Sequence, residues 1–217
     1  MTGRRRALVI GVKTFGEGLN EIPSAVNDVQ VMKKVLEEKG GFEVTKKENP
    51  NRDEMEVIIS NFFQSSQKSD TLFVYISSHG LINKSERFYI AASNTSYDKN
   101  TQNISGAIDA RYLHDEIKNS PSNSQVWLLD LCYASAFVSG FTKGLENSVV
   151  QQLLNQAENE KSISKGVSSD NPVEINQSQQ SNQEGLVIIT SSAMDQKSYL
   201  MKDDSNLSIC TYYAIEA

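Results

Sequence analysis

Two cysteines in 217 residues, Cys132 and Cys210, are too few for a disulfide framework. Such a chain is expected in a reducing compartment, and the cytoplasm is the expected location. Long apolar runs are missing too: no stretch approaches the ~20 residues of a membrane span, and no secretory leader is expected ahead of Ala7. Positive charge is in deficit, with 21 Lys and Arg against 27 Asp and Glu and a formal net charge of −6. That balance argues against general nucleic-acid binding. The short basic cluster Arg4, Arg5, Arg6 reads as a solvated flank of the first strand. One α/β domain is the expected organisation, since 217 residues can enclose a single substantial core.

Apolar runs and helical periods alternate along the chain. Residues 6–12 (RALVIGV) read as a buried first strand, followed by a Gly-rich loop over 13–23. Ser24 is placed to cap a helix whose apolar stripe is Ala25, Val29, Met32 and Leu36 and which Gly40 and Gly41 end. A second strand begins over 42–45. Asn49, Pro50 and Asn51 then signal a turn and a cap for a helix over 52–67, with Met55, Ile59, Phe62 and Phe63 inward. Residues 71–76 read as the third strand. This order predicts a mostly parallel central sheet flanked by helices on both faces, a three-layer α/β/α arrangement.

Further along, 88–92 read as a short hairpin strand, 94–107 as polar loop, and 110–118 as a helix with His114 on its surface. Residues 125–129 read as the fourth strand. Over 140–185 the composition shifts to Gln, Asn, Ser, Glu and Lys, including NQSQQSNQ. A short helix over 149–157 is expected there, and the rest has too little apolar surface to offset the entropy of ordering. Residues 186–190 (LVIIT) read as the fifth strand, 191–205 as a loop, and 207–217 as a helix.

Two of these strands run into reactive side chains. Residues 71–76 lead to Ser77, Ser78, His79 and Gly80; residues 126–129 lead to Asp130, Leu131 and Cys132, then Ala134, Ser135 and Ala136. Open α/β sheets bind ligands at the carboxyl ends of their strands. A histidine and a cysteine delivered there by parallel neighbours are the pair a cysteine protease needs. His-Gly precedes Asp-x-Cys by about fifty residues, which is the caspase spacing.

On these residues the chain resembles a caspase-like cysteine peptidase of the metacaspase kind, nearest to bacterial metacaspases (orthocaspases). RALVIGVKTFGEGLNEIPSAVNDVQVM is similar to the opening strand, loop and helix of that family, FVYISSHG to its histidine motif and LLDLCYASAF to its cysteine motif. LVIITSSAMDQKSY and SICTYYAIEA resemble the small-subunit strand and helix. Ser78 stands where the family usually has glycine, and Ala134-Ser135 where it has Ser-Gly.

The resemblance implies a caspase-like fold: a large-subunit-like part over 1–139, a polar disordered insert over 140–185, and a small-subunit-like part over 186–217. A family strand that follows this helix is missing, so the protein is expected to continue past Ala217. It further implies that His79 is the base and Cys132 the nucleophile, with an oxyanion hole from the N–H groups of Gly80 and Cys132. Glycine at 80 is then read as letting the backbone approach substrate. Lys143, Lys161 and Lys165 are the basic residues available for self-cleavage of the insert.

Caspases proper hold an Asp side chain with arginines and a Gln two residues before the cysteine, where this chain has Asp130. By the same resemblance Asp28 and Ser77 join Asp130 in the primary pocket. Two partly desolvated carboxylates favour Arg or Lys. The alternative for Asp28 is a first-turn acid favoured by the helix dipole.

Calcium activates many metacaspases through an acidic cluster. Here Ser139 and Asn94 stand at positions where acids are expected, so no metal site maps; no cofactor is expected, and calcium independence is. Cys210 reads as a small buried hydrophobe. The expected activity is endopeptidase cleavage of protein or peptide substrates after Arg or Lys, regulated in bacterial stress, cell death or antiviral defence. A regulatory domain or partner protein outside this chain is expected to accompany it, with no nucleic acid or membrane involved. The competing readings are a catalytically inactive caspase-like interaction module and a Cys/His hydrolase of another kind, for which the acidic pair has no use.

Overall fold

Alternation along the central strands decides which helices cover which face of the sheet. In the computed structural model, which describes residues 3–143, 185–191 and 206–216, β1 (Arg5–Gly11) sends Leu8 and Ile10 into one core and Ala7 and Val9 into another. β3 (Thr71–Ser77) divides Leu72, Val74 and Ile76 from Tyr75 in the same way, and β7 (Ser124–Asp130) divides Trp127 and Leu129 from Leu128. With β2 (Glu43–Glu48) and β8 (Leu186–Thr190) these strands make a five-stranded sheet in the order β2-β1-β3-β7-β8. Every neighbouring pair is parallel.

The first core is covered by α2 (Arg52–Gln64), α3 (Ala110–Asn119) and α4 (Ser135–Lys143), the second by α1 (Ser24–Glu38) and α5 (Ile209–Glu216). The result is the expected three-layer α/β/α fold with a central parallel sheet. In the first core Trp127 stacks on Phe63 with centroids 5.6 Å apart and on Phe137 at 6.1 Å. Large aromatic areas thereby tie the sheet to α2 and α4.

The short hairpin strand read over 88–92 belongs to a second, antiparallel sheet, β4-β5-β6, larger than expected: β4 (Gly80–Ile82), β5 (Phe88–Asp98) and β6 (Asn103–Asp109). Most of the stretch read as polar loop over 94–107 is strand. The register breaks between Ala91 and Ser96, and buried Thr95 serves that bulge: its Oγ1 accepts from the Ala92 N–H at 2.7 Å and donates to the Gly106 carbonyl at 2.6 Å. A polar side chain that satisfies backbone inside a bulge has the same composition as a turn residue.

Four further expectations change. Ser24 does not cap α1: Pro23 holds the N-cap position with no side-chain cap bond, and Ser24 is buried in the first turn. The helix read over 52–67 ends at Gln64, after a capping box made by Asn51 and Glu54. Nor is the basic cluster merely a solvated flank: Arg4 pairs with Asp70 at 2.7 Å, and Arg6 donates to the Phe62 carbonyl and the Ser65 hydroxyl. These contacts latch the start of β1 to the end of α2 and the entry to β3. Among the described residues no helix is long and apolar enough to cross a membrane.

His114 is buried rather than on the helix surface. Its Nε2–H donates to the Phe137 carbonyl at 3.0 Å, and its ring meets Phe137 edge-on at 4.6 Å. Burial pushes its pKa down to about 4 from 6.5, against the Phe137 carbonyl, which favours the charged ring. Unfolded chains therefore take up this proton first, so the neutral ring's contribution is intact above 6.5 and is lost as pH falls toward about 4. His114→Gln, which can still donate to Phe137, is expected to flatten that loss; melting temperatures of variant and wild type from pH 4 to 7 measure it.

Candidate active site

Ser77 and Asp130 are Cα partners at the last step of the β3–β7 ladder. Strand alternation turns both toward the α1–α5 face, the side that Tyr75 and Leu128 occupy. His79 and Cys132 each lie two residues further on. The loops stay together past the sheet: the Ser78 N–H donates to the Asp130 carbonyl at 3.3 Å. Gly80 lies so near the Cys132 carbonyl that a Cβ would stand 2.0 Å from that oxygen and 2.9 Å from the Phe88 ring. Glycine at 80 is thus required by the approach of the two loops to one another, a reason the sequence reading had assigned to substrate. Both His79 and Cys132 are half-buried.

The two departures from the family motifs have local explanations. Ser78 is buried, and its hydroxyl donates to the Ala91 carbonyl at 2.7 Å. Ala134 is fully buried in the first core, and Ser135 begins α4. Between Cys132 and the helix, Tyr133 adopts a φ of 59°, a left-handed conformation costly for a bulky side chain.

His79 is held by the loop between β1 and α1. Its Nε2 lies 2.8 Å from the Asn20 carbonyl, and its ring centroid is 4.7 Å from that of Phe15. A carbonyl only accepts, so Nε2 carries the hydrogen and, in the neutral ring, Nδ1 keeps the lone pair. Burial lowers the His79 pKa, while the Asn20 carbonyl raises it. A neutral imidazole with a free Nδ1 is equipped to take a proton. Asn20 escaped the sequence reading because its contribution is a backbone carbonyl, which any residue type supplies; a Gly-rich loop before the helix was the one available signal.

Asp28 is fully buried on α1, and no acid occupies that helix's first turn, so the helix-dipole alternative does not describe it. Its Oδ1 accepts from the Ser208 N–H at 2.9 Å, and the Ser77 hydroxyl approaches Oδ2 at 3.4 Å. Asp130 is 3 % exposed. Burial drives the Asp28 pKa up to about 6, and the charge of Asp130 pushes the same way, against hydrogen bonds from Ser208, Ser24 and Thr211. Beneath the pair, the Tyr75 hydroxyl meets Thr211 Oγ1 at 2.6 Å, and Ser208 Oγ caps α5 by accepting from the Thr211 N–H at 3.0 Å. The thiol of buried Cys210 has its pKa raised by burial and by the same two carboxylates, which keeps it protonated. Ser208, Thr211 and Tyr75 were missed, since nothing local in their sequence distinguishes them from cap and core residues.

Lys143 is the last residue of α4; Lys161, Lys165 and the helix read over 149–157 lie outside the described residues. Among the described residues no group of three His, Cys, Asp or Glu side chains is arranged to hold a metal ion.

The family model for the caspase domain, Peptidase C14, matches residues 4–217. No curated protein matches the chain. Among solved structures, protein GSU0716 from Geobacter sulfurreducens is similar in fold, with a TM-score of 0.61 at 12 % identity over 98 % of this chain and 81 % of its own.

A buried carboxylate with a raised pKa costs stability wherever it is ionised. For Asp28 that penalty is full above about 6 and disappears as pH falls below the ordinary 3.8. Asp28→Asn, which still accepts from Ser208, is expected to raise the melting temperature by about 5 °C at pH 8 and by nothing measurable below pH 3.8. Calorimetry at the two pH values tests the sign.

Proposed function

The chain belongs to the caspase-domain family of cysteine peptidases, and we propose that within it this protein is an active endopeptidase that uses a His79–Cys132 dyad to cut after Arg or Lys. The observation that supports this reading is the shared register of β3 and β7, which pairs Ser77 with Asp130 and leaves His79 and Cys132 each two residues beyond the ends of neighbouring strands. His79 Nδ1 takes the proton of the Cys132 thiol, and the thiolate attacks the peptide carbonyl carbon. As the C–S bond forms, the carbonyl oxygen becomes an oxyanion that accepts from the N–H groups of Gly80 and Cys132. The C–N bond then breaks, with the imidazolium proton passing to the leaving amine. Water, deprotonated by His79, hydrolyses the thioester and restores the thiol.

Specificity follows from the acid pair. Asp28 and Asp130 repel one another in a poorly solvated place, and a substrate cation entering between them removes that repulsion. Ser77, bonded to Asp28, orients it. Arg is favoured over Lys because its planar fork serves two carboxylates at once. Self-cleavage at Lys161 or Lys165 fits the same pocket, whereas Lys143 requires the end of α4 to unwind first. A regulated role in bacterial stress, cell death or antiviral defence rests on the resemblance of the motifs alone.

Fluorogenic peptides ending in Arg, Lys or Asp, with calcium or with chelator, test this on wild type and Cys132→Ala. Cleavage after Arg and Lys is expected, reduced at least about 1,000-fold in the variant. KM for the Arg peptide is expected to rise as pH falls through about 6, where Asp28 loses its charge. Cleavage after Asp overturns the pocket while sparing the dyad. No cleavage of any peptide, and none of the chain itself, favours the inactive interaction module.

A further inference from the structure

The loop that holds His79 is itself held by the second sheet. Between Phe15, which packs on the His79 ring, and Asn20, whose carbonyl takes its Nε2–H, the chain lies along the free edge of β5. The Gly16 N–H donates to the Thr95 carbonyl at 2.8 Å, and the Tyr97 N–H donates to the Glu17 carbonyl at 2.9 Å. Contact is backbone on backbone: a Cβ on Gly18, whose φ is +85°, would lie 1.9 Å from the Tyr97 carbonyl oxygen. One on Gly16 would lie 2.5 Å from Ser96 Oγ and 2.9 Å from the Thr95 carbonyl oxygen. Thr95 fixes this edge. It is fully buried at the bulge, its hydroxyl bridging Ala92 N–H and Gly106 carbonyl, while its own carbonyl receives Gly16.

We propose that Thr95 and Gly18 are positioning residues for His79, so that the β5–β6 hairpin sets the orientation of the catalytic imidazole through the β1–α1 loop. The inference rests on the dyad reading above. Neither residue touches the reacting atoms. Shifting the loop moves two restraints on the ring together, its packing against Phe15 and its bond to the Asn20 carbonyl. A base displaced by about 1 Å loses about 100-fold in rate. The lost carbonyl also removes a stabiliser of the imidazolium, so the ring releases its proton at lower pH.

Thr95→Val keeps the shape and removes the hydroxyl, Thr95→Ser restores it, and Gly18→Ala wedges the loop from β5 without touching the core. For each, kcat and KM on the Arg peptide from pH 5 to 9, the alkylation rate of Cys132 by iodoacetamide, and the melting temperature are measured. Thr95→Val and Gly18→Ala are expected to lower kcat about 100-fold, with KM within about threefold because the acid pocket is untouched. The acidic limb of their pH profiles moves to lower pH, alkylation slows, and Thr95→Ser returns to wild type. If Thr95→Val fails to fold, Gly18→Ala decides alone. A folded Gly18→Ala with wild-type kcat and pH limb, or with a change in KM only, overturns the proposal while the wild type still cleaves. A wild type that neither cleaves nor alkylates faster than a free thiol overturns the dyad, and this inference with it.

Discussion

Parallel pairing of β3 with β7 in a single register holds the candidate site together. Each strand presents alternate residues to opposite cores, so a slip of one residue would turn Trp127 and Leu129 away from the aromatic stack and expose them to the wrong layer. The same register that buries those side chains puts Ser77 opposite Asp130 and leaves both loops the same distance to run before His79 and Cys132. Packing energy thus specifies the geometry of the chemistry, and no side chain of the site has to supply it. The touching loops, where Gly80 leaves no room for a Cβ beside the Cys132 carbonyl, extend that specification past the last strand residue.

Around this frame the protein carries features that work against stability. Two carboxylates are buried within reach of each other's field, a tyrosine adopts a left-handed turn beside Cys132, and burial lowers the pKa of His79. Such costs persist only where surrounding structure over-determines them, and they collect where function needs them. The surroundings here come from distant parts of the chain. Ser208, 180 positions beyond Asp28, donates its N–H to that carboxylate, and Thr211 closes the network to Tyr75 in the sheet. The late segment therefore completes the floor of the acid pair, and α5 is docked by polar bonds as well as by the apolar contacts of Cys210.

Much of the fold was legible because the central strands and the first two helices bury continuous or 3.6-periodic apolar faces, and burial of that kind leaves a local signature. The β4–β5–β6 sheet did not, since its second half is built from Ser, Asn, Thr and Gly. Those residues serve strand bulges and turns alike, and only their partners distinguish the two. His114 misled for a related reason: a lone polar residue in a helix reads as exposed, whereas its partner is a carbonyl on α4, a helix that shares no periodic pattern with it.

By itself the sequence determined the layer order, the strands that end at the site, and the chemical types gathered there: a thiol, an imidazole and two carboxylates. Those are properties of side-chain identity and short-range period, which a linear chain displays directly. Tertiary structure alone decided that Asp28 is buried and bonded to Ser208, that a backbone carbonyl at Asn20 fixes the tautomer of His79, and that a hairpin braces the loop between them. Each of these depends on backbone groups or on residues far apart in the chain. Backbone N–H and C=O groups are the same at nearly every position, so no residue name records which of them will meet.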